Sequence, residues 1–538
     1  MSLLPIRQDF TVFRHHWKGD IAAGITVGIV ALPLALAFGV SSGVGAAAGL
    51  VTAIIAGIVA SVFGGSNLQV SGPTGAMVVI IAPLVLEHGA AAVPLLSVLA
   101  GVIVVLAGIA GMGKAISLIP WPVIEGFTLG IATIIALQQV PNLLGVDAPA
   151  GSNTLQVAIE TIGIASWPEA LTTLGLAAGT ILVILLVTRF FPTWPASLIG
   201  VVLGSLIVFA FSLDVPLIGA LPDGLPMPSM PAMNLDLITA LVPGAFAVAL
   251  LAGIESLLSA RVAAGLVKGE GYHPDRELVG QGLASVASGM FGGMPATGAM
   301  ARTAVNIRAG GRTRLSVITH ALFLLAVVYL ASGIVSRIPL ASLAGVLVVT
   351  AFNMVSRSTA RTMLQSTRSD ALVFCTTAVT TIVLDLIWAI GVGVAVMCIL
   401  VLRHLAKQSG VRREDHGDED RRIAIFRIDG AMFFGVSDRL EAEIPTLDDV
   451  DVVILRLSRV GVMDVTGAKA LADIVTRLRE AGNVVYLKGL DPSLLDLADR
   501  VGVIDALGGA EHLFDSLDEA LERARNLVAL KERKGLTR

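Results

Sequence analysis

The chain has 538 residues, of which 55% are hydrophobic and 14% charged, with a mean hydropathy of +0.84. That excludes an ordinary soluble enzyme, with about a quarter of its residues charged. It also excludes a disordered chain, and a disulfide scaffold, since Cys375 and Cys398 are the only cysteines. Residues 412–538 hold 25 acidic and 19 basic side chains in 127 positions, whereas the first 411 hold only 16 and 18. Two objects share the chain: a membrane body, 1–411, and a soluble domain, 420–535. The net charge of −4 includes no basic stripe, so nucleic acid is not an expected partner.

Crossing about 30 Å of hydrocarbon at about 1.5 Å per residue takes about 20 apolar residues. Such runs predict helices near 20–38, 46–64, 73–87, 92–113, 120–139, 169–188 and 194–212. A second set follows near 238–263, 277–292, 297–308, 313–334, 339–357, 371–386 and 388–405. The body therefore reads as all-α and polytopic, with about fourteen spans in the lipid bilayer.

An even number of spans places both termini on one side, and basic loops mark that side as cytoplasmic. Arg7, Arg14 and Lys18 precede the first helix; Arg403, Lys407, Arg412 and Arg413 follow the last. Lys114, Arg189, Arg261, Lys268, Arg276, Arg357, Arg361 and Arg368 then fall on inside turns, and Arg337 alone falls outside. The two longest outside loops, near 140–168 and 213–237, contain no Lys or Arg. The expectation is a multi-pass protein of the cell's inner (plasma) membrane with both termini cytoplasmic. No small-residue cleavage site closes a short apolar core, so a removable signal peptide is not expected. Cys375 and Cys398 lie in apolar stretches and read as small core residues.

The body contains an echo. Phe63-Gly64-Gly65 precedes Gly72-Pro73-Thr74-Gly75-Ala76-Met77, and Phe291-Gly292-Gly293 precedes Pro295-Ala296-Thr297-Gly298-Ala299-Met300. The shared tetrads lie 223 residues apart, so the body repeats roughly in halves of seven spans with opposite orientation. Each tetrad opens a helix too short to cross, about 22 Å for 73–87 and about 18 Å for 297–308. Two such helices start near the midplane with their N-termini facing. Unpaired N–H groups and aligned dipoles put about half a positive charge at each tip, forming an anion pocket. Thr74, Gly75, Ala76, Thr297, Gly298 and Ala299 are the candidate ligands, glycine permitting close backbone approach. The competing reading makes them loop turns with packing glycines.

Charges at membrane depth cost about 2.5–3.5 kcal/mol even on the lenient insertion scale and are usually functional. Glu255, in Gly253-Ile254-Glu255-Ser256-Leu257-Leu258-Ser259, lies mid-helix, and Arg302 lies on the second short helix. They suggest a switchable pair: ionised, Glu255 neutralises Arg302; protonated, it frees Arg302 to hold the anion. Ser259, four residues on, shares the face of Glu255. Glu255 and Ser259 are the candidates for the coupling ion, H+ or Na+, with no other metal expected. The competing reading for Glu255 and Arg302 is a permanent salt bridge, and for Ser259 a bond within its own helix. Glu125 reads as a helix-start carboxylate and Asp385 as a turn residue.

These stretches resemble the SulP sulfate-permease/solute-carrier anion transporter family. The likeness runs from Asp20-Ile21-Ala22-Ala23-Gly24 through Ala31-Leu32-Pro33-Leu34-Ala35-Leu36-Ala37-Phe38-Gly39, Gly253 to Ser259, and Val305-Asn306-Ile307-Arg308-Ala309-Gly310-Gly311-Arg312-Thr313. The resemblance implies a seven-plus-seven inverted repeat like that of uracil permeases, with a core that moves against a gate. It places the anion between the third and tenth helices, with Phe38 beside it. The first-helix stretch is similar to bacterial sodium–bicarbonate symporters, and sulfate carriers often have Gln where this chain has Leu34. Those sodium-coupled relatives tend to have Asp at the position of Glu255 and to lack the arginine matching Arg302. Glu with Arg is similar to proton-coupled members.

Beyond Arg421-Arg422, apolar runs at Ile423 to Ile428, Val452 to Leu457 and Val484 to Leu487 predict strands. Helices near 437–443, 467–480, 492–501 and 517–528 complete a small α/β layer. It resembles the STAS domain of sulfate transporters and anti-sigma-factor antagonists. Met463-Asp464-Val465-Thr466-Gly467 matches the family turn, but Val465 stands where phosphorylated antagonists have serine; Thr466 is only a weak substitute. A dimerisation and stability module, giving a homodimer, is the preferred reading over a phospho-switch.

The leading expectation is a secondary active transporter of a small inorganic anion, bicarbonate first, with sulfate or a C4-dicarboxylate as alternatives. Importing each unpaired negative charge against 100 mV costs about 2.3 kcal/mol, which a co-transported cation or an exchanged anion offsets. A membrane sensor signalling through STAS is the alternative of another class, and an anion channel a third. No enzyme and no cofactor are expected, since neither cysteine has the neighbours a zinc site needs.

Overall fold

The computed structural model describes residues 13–116, 120–149, 154–192, 194–219, 221, 224–267, 271–384, 386–408, 410–414, 421–432, 447 and 449–533. Arg7, Lys268, Asp385 and the expected helix at 437–443 lie outside these. Two compact units divide the chain, Met1–Ala395 and Val396–Arg538.

Every one of the fourteen apolar segments contains a helix. In the first half these are α1 (Phe13–Ser41), α2 (Ala46–Phe63), α3 (Gly75–His88), α4 (Val93–Ile109), α5 (Trp121–Gln138), α6 (Trp167–Phe190) and α7 (Ala196–Phe211). In the second they are α8 (Leu235–Leu266), α9 (Pro274–Met290), α10 (Met300–Arg308), α11 (Arg314–Val335), α12 (Leu340–Met354), α13 (Arg368–Val383) and α14 (Leu386–Gln408). Among the described residues, eight helical stretches are long and apolar enough to cross a membrane. Two-residue strands precede the short helices, β1 (Ser71–Gly72) before α3 and β2 (Thr297–Gly298) before α10.

Several expectations are corrected. The tenth helix begins at Met300, not Thr297, because Thr297 and Gly298 are extended and paired with β1. The two tetrads are thus out of register: Gly75-Ala76-Met77 are already helical, whereas Thr297-Gly298 form a strand. The 140–168 stretch is not a plain loop but holds helices Val140–Leu144 and Thr154–Ile164. Arg276, read as a loop charge, is buried at the start of α9 with Nε donating to Phe63 O. Cys375 and Cys398 are exposed rather than core residues. Apolar composition does not mean interior here, since the outer face of a membrane helix meets lipid.

The interior is held by close backbone approach and by charged caps. A Cβ on Gly101 of α4 or on Gly282 of α9 would come within 2.6 Å of the other glycine's carbonyl oxygen. Small residues let helices meet this closely in a bilayer, where packing rather than apolar burial drives association. Asp20, fully buried in α1, accepts from the amides of Arg312 (2.7 Å) and Thr313 (3.1 Å) and from Thr313 Oγ1 (2.6 Å) at the entry to α11. Arg314 caps the other polarity, donating to Ser61 O (2.7 Å) and Gly64 O (2.8 Å) at the end of α2. Glu277 accepts from Gly65 N (2.8 Å) and Ser66 N (2.9 Å). Each charge sits on groups that a helix terminus leaves unpaired.

The second unit carries β3 (Gly410–Glu414), β4 (Ile423–Met432), β5 (Val452–Met463), β6 (Val484–Lys488) and β7 (Leu513–Phe514), in that spatial order. β3 is antiparallel to β4, and the other neighbours run parallel. β3 and β7 were not expected from the sequence; the three expected strands are all present. Helices α15 (Val465–Glu480), α16 (Pro492–Arg500), α17 (Val503–Leu507) and α18 (Leu517–Arg533) cover the sheet. Leu471, Ile474 and Val475 of α15 meet Phe426, Val453 and Leu455 on one face. Ala520, Leu521 and Ala524 of α18 meet Ile425, Ile454 and Tyr486 on the other. Asp464 caps α15 through Gly467 N at 2.7 Å, while Val465 is 64% exposed.

Asp20→Ala is expected to leave two backbone amides unpaired at about 1–3 kcal/mol each. Thermal unfolding of the purified protein in detergent should fall by several degrees; an unshifted midpoint would show that the α1–α11 clamp does not stabilise the body.

Candidate anion-binding site

The site begins with the strands. Ser71 pairs with Gly298 and Gly72 with Thr297 in an antiparallel ladder, continued by Ala299 N donating to Val70 O at 2.9 Å. α3 starts three residues after β1, and α10 two residues after β2, so the pairing brings the two helix starts together. Neither helix has a side-chain cap. Among the described residues the amides of Gly75 and Ala76 have no hydrogen-bond partner, nor do those of Met300 and Ala301. These donors carry the partial positive charge of a helix N-terminus.

α8 runs alongside both tips. Glu255 accepts a hydrogen bond from Thr74 Oγ1 at 3.0 Å, on the residue that precedes α3. Ser256 Oγ lies 3.0 Å from Thr297 Oγ1 and accepts from Gly298 N at 3.0 Å. Ser259 Oγ lies 3.3 Å from Thr303 Oγ1, which accepts from Val70 N at 3.0 Å. Ser259 is therefore turned toward the α10 side of the strand pair, and the hydroxyl that reaches the tip is that of Ser256.

Phe38 and Ile135 close the α3 side: a Cβ added at Gly75 would stand 3.2 Å from Phe38 Cε1. Thr74, Ala76, Thr297 and Ala299 are all buried beside them. Gly298 has no room for a ligand at its Cα, because the Gln69 side chain occupies that space and Ser256 takes its amide.

Arg302 is 2% exposed and spans from α10 to the entry of α3, where Nη2 donates to Pro73 O. Nη1 lies against Gly72 and, among the described residues, has no hydrogen-bond partner. Among the described residues Glu255 and Arg302 form no direct ion pair: Glu255 is held by Thr74 and Arg302 by Pro73 O. No permanent salt bridge ties them.

Ser256, Thr303 and Gln69 were not anticipated. The i,i+4 rule selects one helix face from Glu255, whereas α8 lies between two tips and uses more than one. Glu125 stands near the start of α5, accepting from Trp121 Nε1 at 2.8 Å. Among the described residues no group of three His, Cys, Asp or Glu is placed to hold a metal.

The profile of the sulfate permease family matches residues 17–377, and that of the STAS domain residues 418–520. The chain belongs to the sulfate permease family. It is 34% identical over 519 residues to the putative sulfate transporter YvdB of Bacillus subtilis, covering 94% of this chain and 97% of that one. It is 32% identical to the bicarbonate transporter BicA of Synechocystis, covering 94% of each. The inward-facing structure of murine solute carrier 26 family member A9, an anion transporter, superposes with a TM-score of 0.86 over 97% of this chain and 94% of that one. At 18% identity that likeness is one of fold. The chain is thus a polytopic membrane anion transporter of this family, not an enzyme.

Ser256→Ala is expected to strand the buried Gly298 amide at about 1–3 kcal/mol and to lower both thermal stability and uptake. Wild-type behaviour in a melting scan and in vesicle uptake would show that α8 does not hold the tip through this bond.

Proposed function

We propose that this chain is a secondary active transporter that holds a small inorganic anion, bicarbonate foremost, between the N-termini of α3 and α10. The observation that carries this reading is the pair of helix starts that the paired strands bring together, with unbonded amides beside a buried arginine. Gly75, Ala76, Met300 and Ala301 supply amides; Thr74, Thr297 and Ala299 shape the backbone; Arg302 supplies a full charge; Phe38 excludes water. The name of the BicA relative favours bicarbonate, and that of YvdB favours sulfate as the second reading.

Coupling runs through Glu255. Its carboxylate takes the Thr74 hydroxyl at the very residue that starts the α3 tip. Protonation cancels the charge that opposes an incoming anion and weakens that bond, so cation and anion load together. Sodium is the alternative cation; because Ser259 is engaged by Thr303, its ligands would come from around Glu255 and Thr74 instead. The cytoplasmic domain, 420–535, is assigned a stabilising and dimerising role, supported by Val465 at the position where a phospho-acceptor would stand, with both termini of the chain cytoplasmic.

Uptake of labelled bicarbonate, sulfate and fumarate into proteoliposomes, each under a sodium or a pH gradient, tests the reading. Glu255→Gln should abolish gradient-driven accumulation while leaving exchange; pH-driven accumulation that survives would refute the proton role. Arg302→Ala should weaken anion binding at least about tenfold, a loss of about 1.4 kcal/mol. Unchanged affinity by calorimetry would remove Arg302 from the site.

A further inference from the structure

Strand register in the cytoplasmic unit places Arg412 opposite Arg427, Arg427 opposite Arg456, and Arg456 opposite Lys488. Residues directly opposite one another point to the same face. Four cations therefore stand in one row across β3, β4, β5 and β6, at intervals of about 4.8 Å. Like charges in such positions destabilise a sheet. Two carboxylates steady the middle of the row. Glu414 accepts from Arg427 Nη1 at 3.0 Å and from Arg456 Nη1 at 3.1 Å; Asp429 accepts from Arg427 Nε at 3.0 Å. Arg459 approaches Asp429 at 3.9 Å. The hydrogen bond from Asp429 holds the Arg427 guanidinium above its ordinary pKa.

Among the described residues, five cations against two carboxylates leave three uncompensated positive charges on this stretch of sheet. Among the described residues, α18 covers the first part of that face, packing on Ile425, Ile454 and Tyr486. The row lies two residues further along each of these strands. It remains accessible: the Arg456 side chain is 32% exposed and that of Arg459 64%. β4, β5 and β6 run parallel, and the row crosses β4 and β5 near mid-strand and β6 at its carboxyl end.

We propose that this row is a binding site for a phosphate-bearing anion of two or more charges, carried by a soluble ester or a lipid headgroup. Arginine forks match phosphate oxygens bidentately, and neighbouring cations about 4.8 Å apart bracket a diphosphate. Arg427 and Arg456 are already oriented by their carboxylates, so little ordering is lost on binding. Arg456 keeps Nε and Nη2 for the ligand, and Arg412 and Lys488 close the two ends. A monovalent anion such as bicarbonate gives too little charge to bridge the row.

The test is calorimetric titration of the purified full-length protein with inorganic pyrophosphate, at low and at physiological salt. Saturable binding that weakens with salt is expected. The double variant Arg412→Gln/Lys488→Gln should lose affinity at least about tenfold (about 1.4 kcal/mol) while anion uptake without pyrophosphate stays at the wild-type rate. Arg302→Ala, in the other unit, should leave pyrophosphate binding unchanged. No binding, equal affinity in the double variant, or loss of binding in Arg302→Ala would overturn the site. In nanodiscs of phosphatidylcholine, added phosphatidic acid that competes with pyrophosphate points to a headgroup as the occupant. Absence of competition points to a soluble ester.

Discussion

Four residues of paired strand, Ser71-Gly72 against Thr297-Gly298, are the constraint on which the transport body rests. Non-helical backbone at membrane depth survives only where protein satisfies its polar groups. Here the two halves of the chain satisfy each other. That choice fixes where α3 and α10 begin and brings their starts together. Everything around the strands serves the same purpose. Thr303 takes the Val70 amide, Ser256 takes that of Gly298, and Arg302 reaches across to the Pro73 carbonyl. Among the described residues, the donors left unpaired are those of the first helical turns, where the proposed anion would sit.

The same logic governs the charges buried elsewhere in the body. Asp20, Glu277 and Arg314 do not face a ligand; each is committed to backbone groups at a helix end. Arg302 differs because, among the described residues, one of its nitrogens has no hydrogen-bond partner and the carbonyl it does use belongs to the α3 entry. Arg314, committed to the carbonyls of Ser61, Val62 and Gly64, is a staple, whereas Arg302, committed to one, would keep its charge for the proposed guest. A count of charged residues in membrane helices does not separate these two uses; the partners do.

The helices were legible in the sequence because about 20 apolar residues leave few other structures in a bilayer. Thr74, Gly75 and Arg302 were legible as well, since short helices and lone charges at depth are costly enough to stand out. The register of the repeat was not. Identical Thr-Gly-Ala-Met tetrads suggested equivalent positions, but one lies mostly in a helix and the other partly in a strand, because pairing across the halves outweighs local similarity. Ser256 and Ser259 are indistinguishable by composition, and only the angle at which α8 passes the tips decides between them. Arg276 read as a loop charge because α9 is polar enough to resemble the edge of a membrane segment. The polarity is spent on the interior, on Gly65, Ser66 and Phe63.

In the proposed cycle, coupling rests on the balance of four charges rather than on any one contact. Two helix tips contribute about +0.5 each and Arg302 contributes +1, so the pocket carries about +2 against −1 on Glu255. An anion entering while Glu255 is ionised meets about half the attraction it would meet after a cation has arrived there. Two unit charges one helical turn apart, about 5.4 Å, interact by about 3 kcal/mol at an effective dielectric near 20. That is more than a hundredfold in affinity, and linkage requires the anion to strengthen cation binding by the same factor. A direct Glu255–Arg302 bridge would undo this, because the arginine would be neutralised in the empty site and each transport cycle would have to break the pair. In the proposed cycle, Glu255 on the Thr74 hydroxyl and Arg302 on the Pro73 carbonyl are held apart, so that the two charges remain available to separate guests.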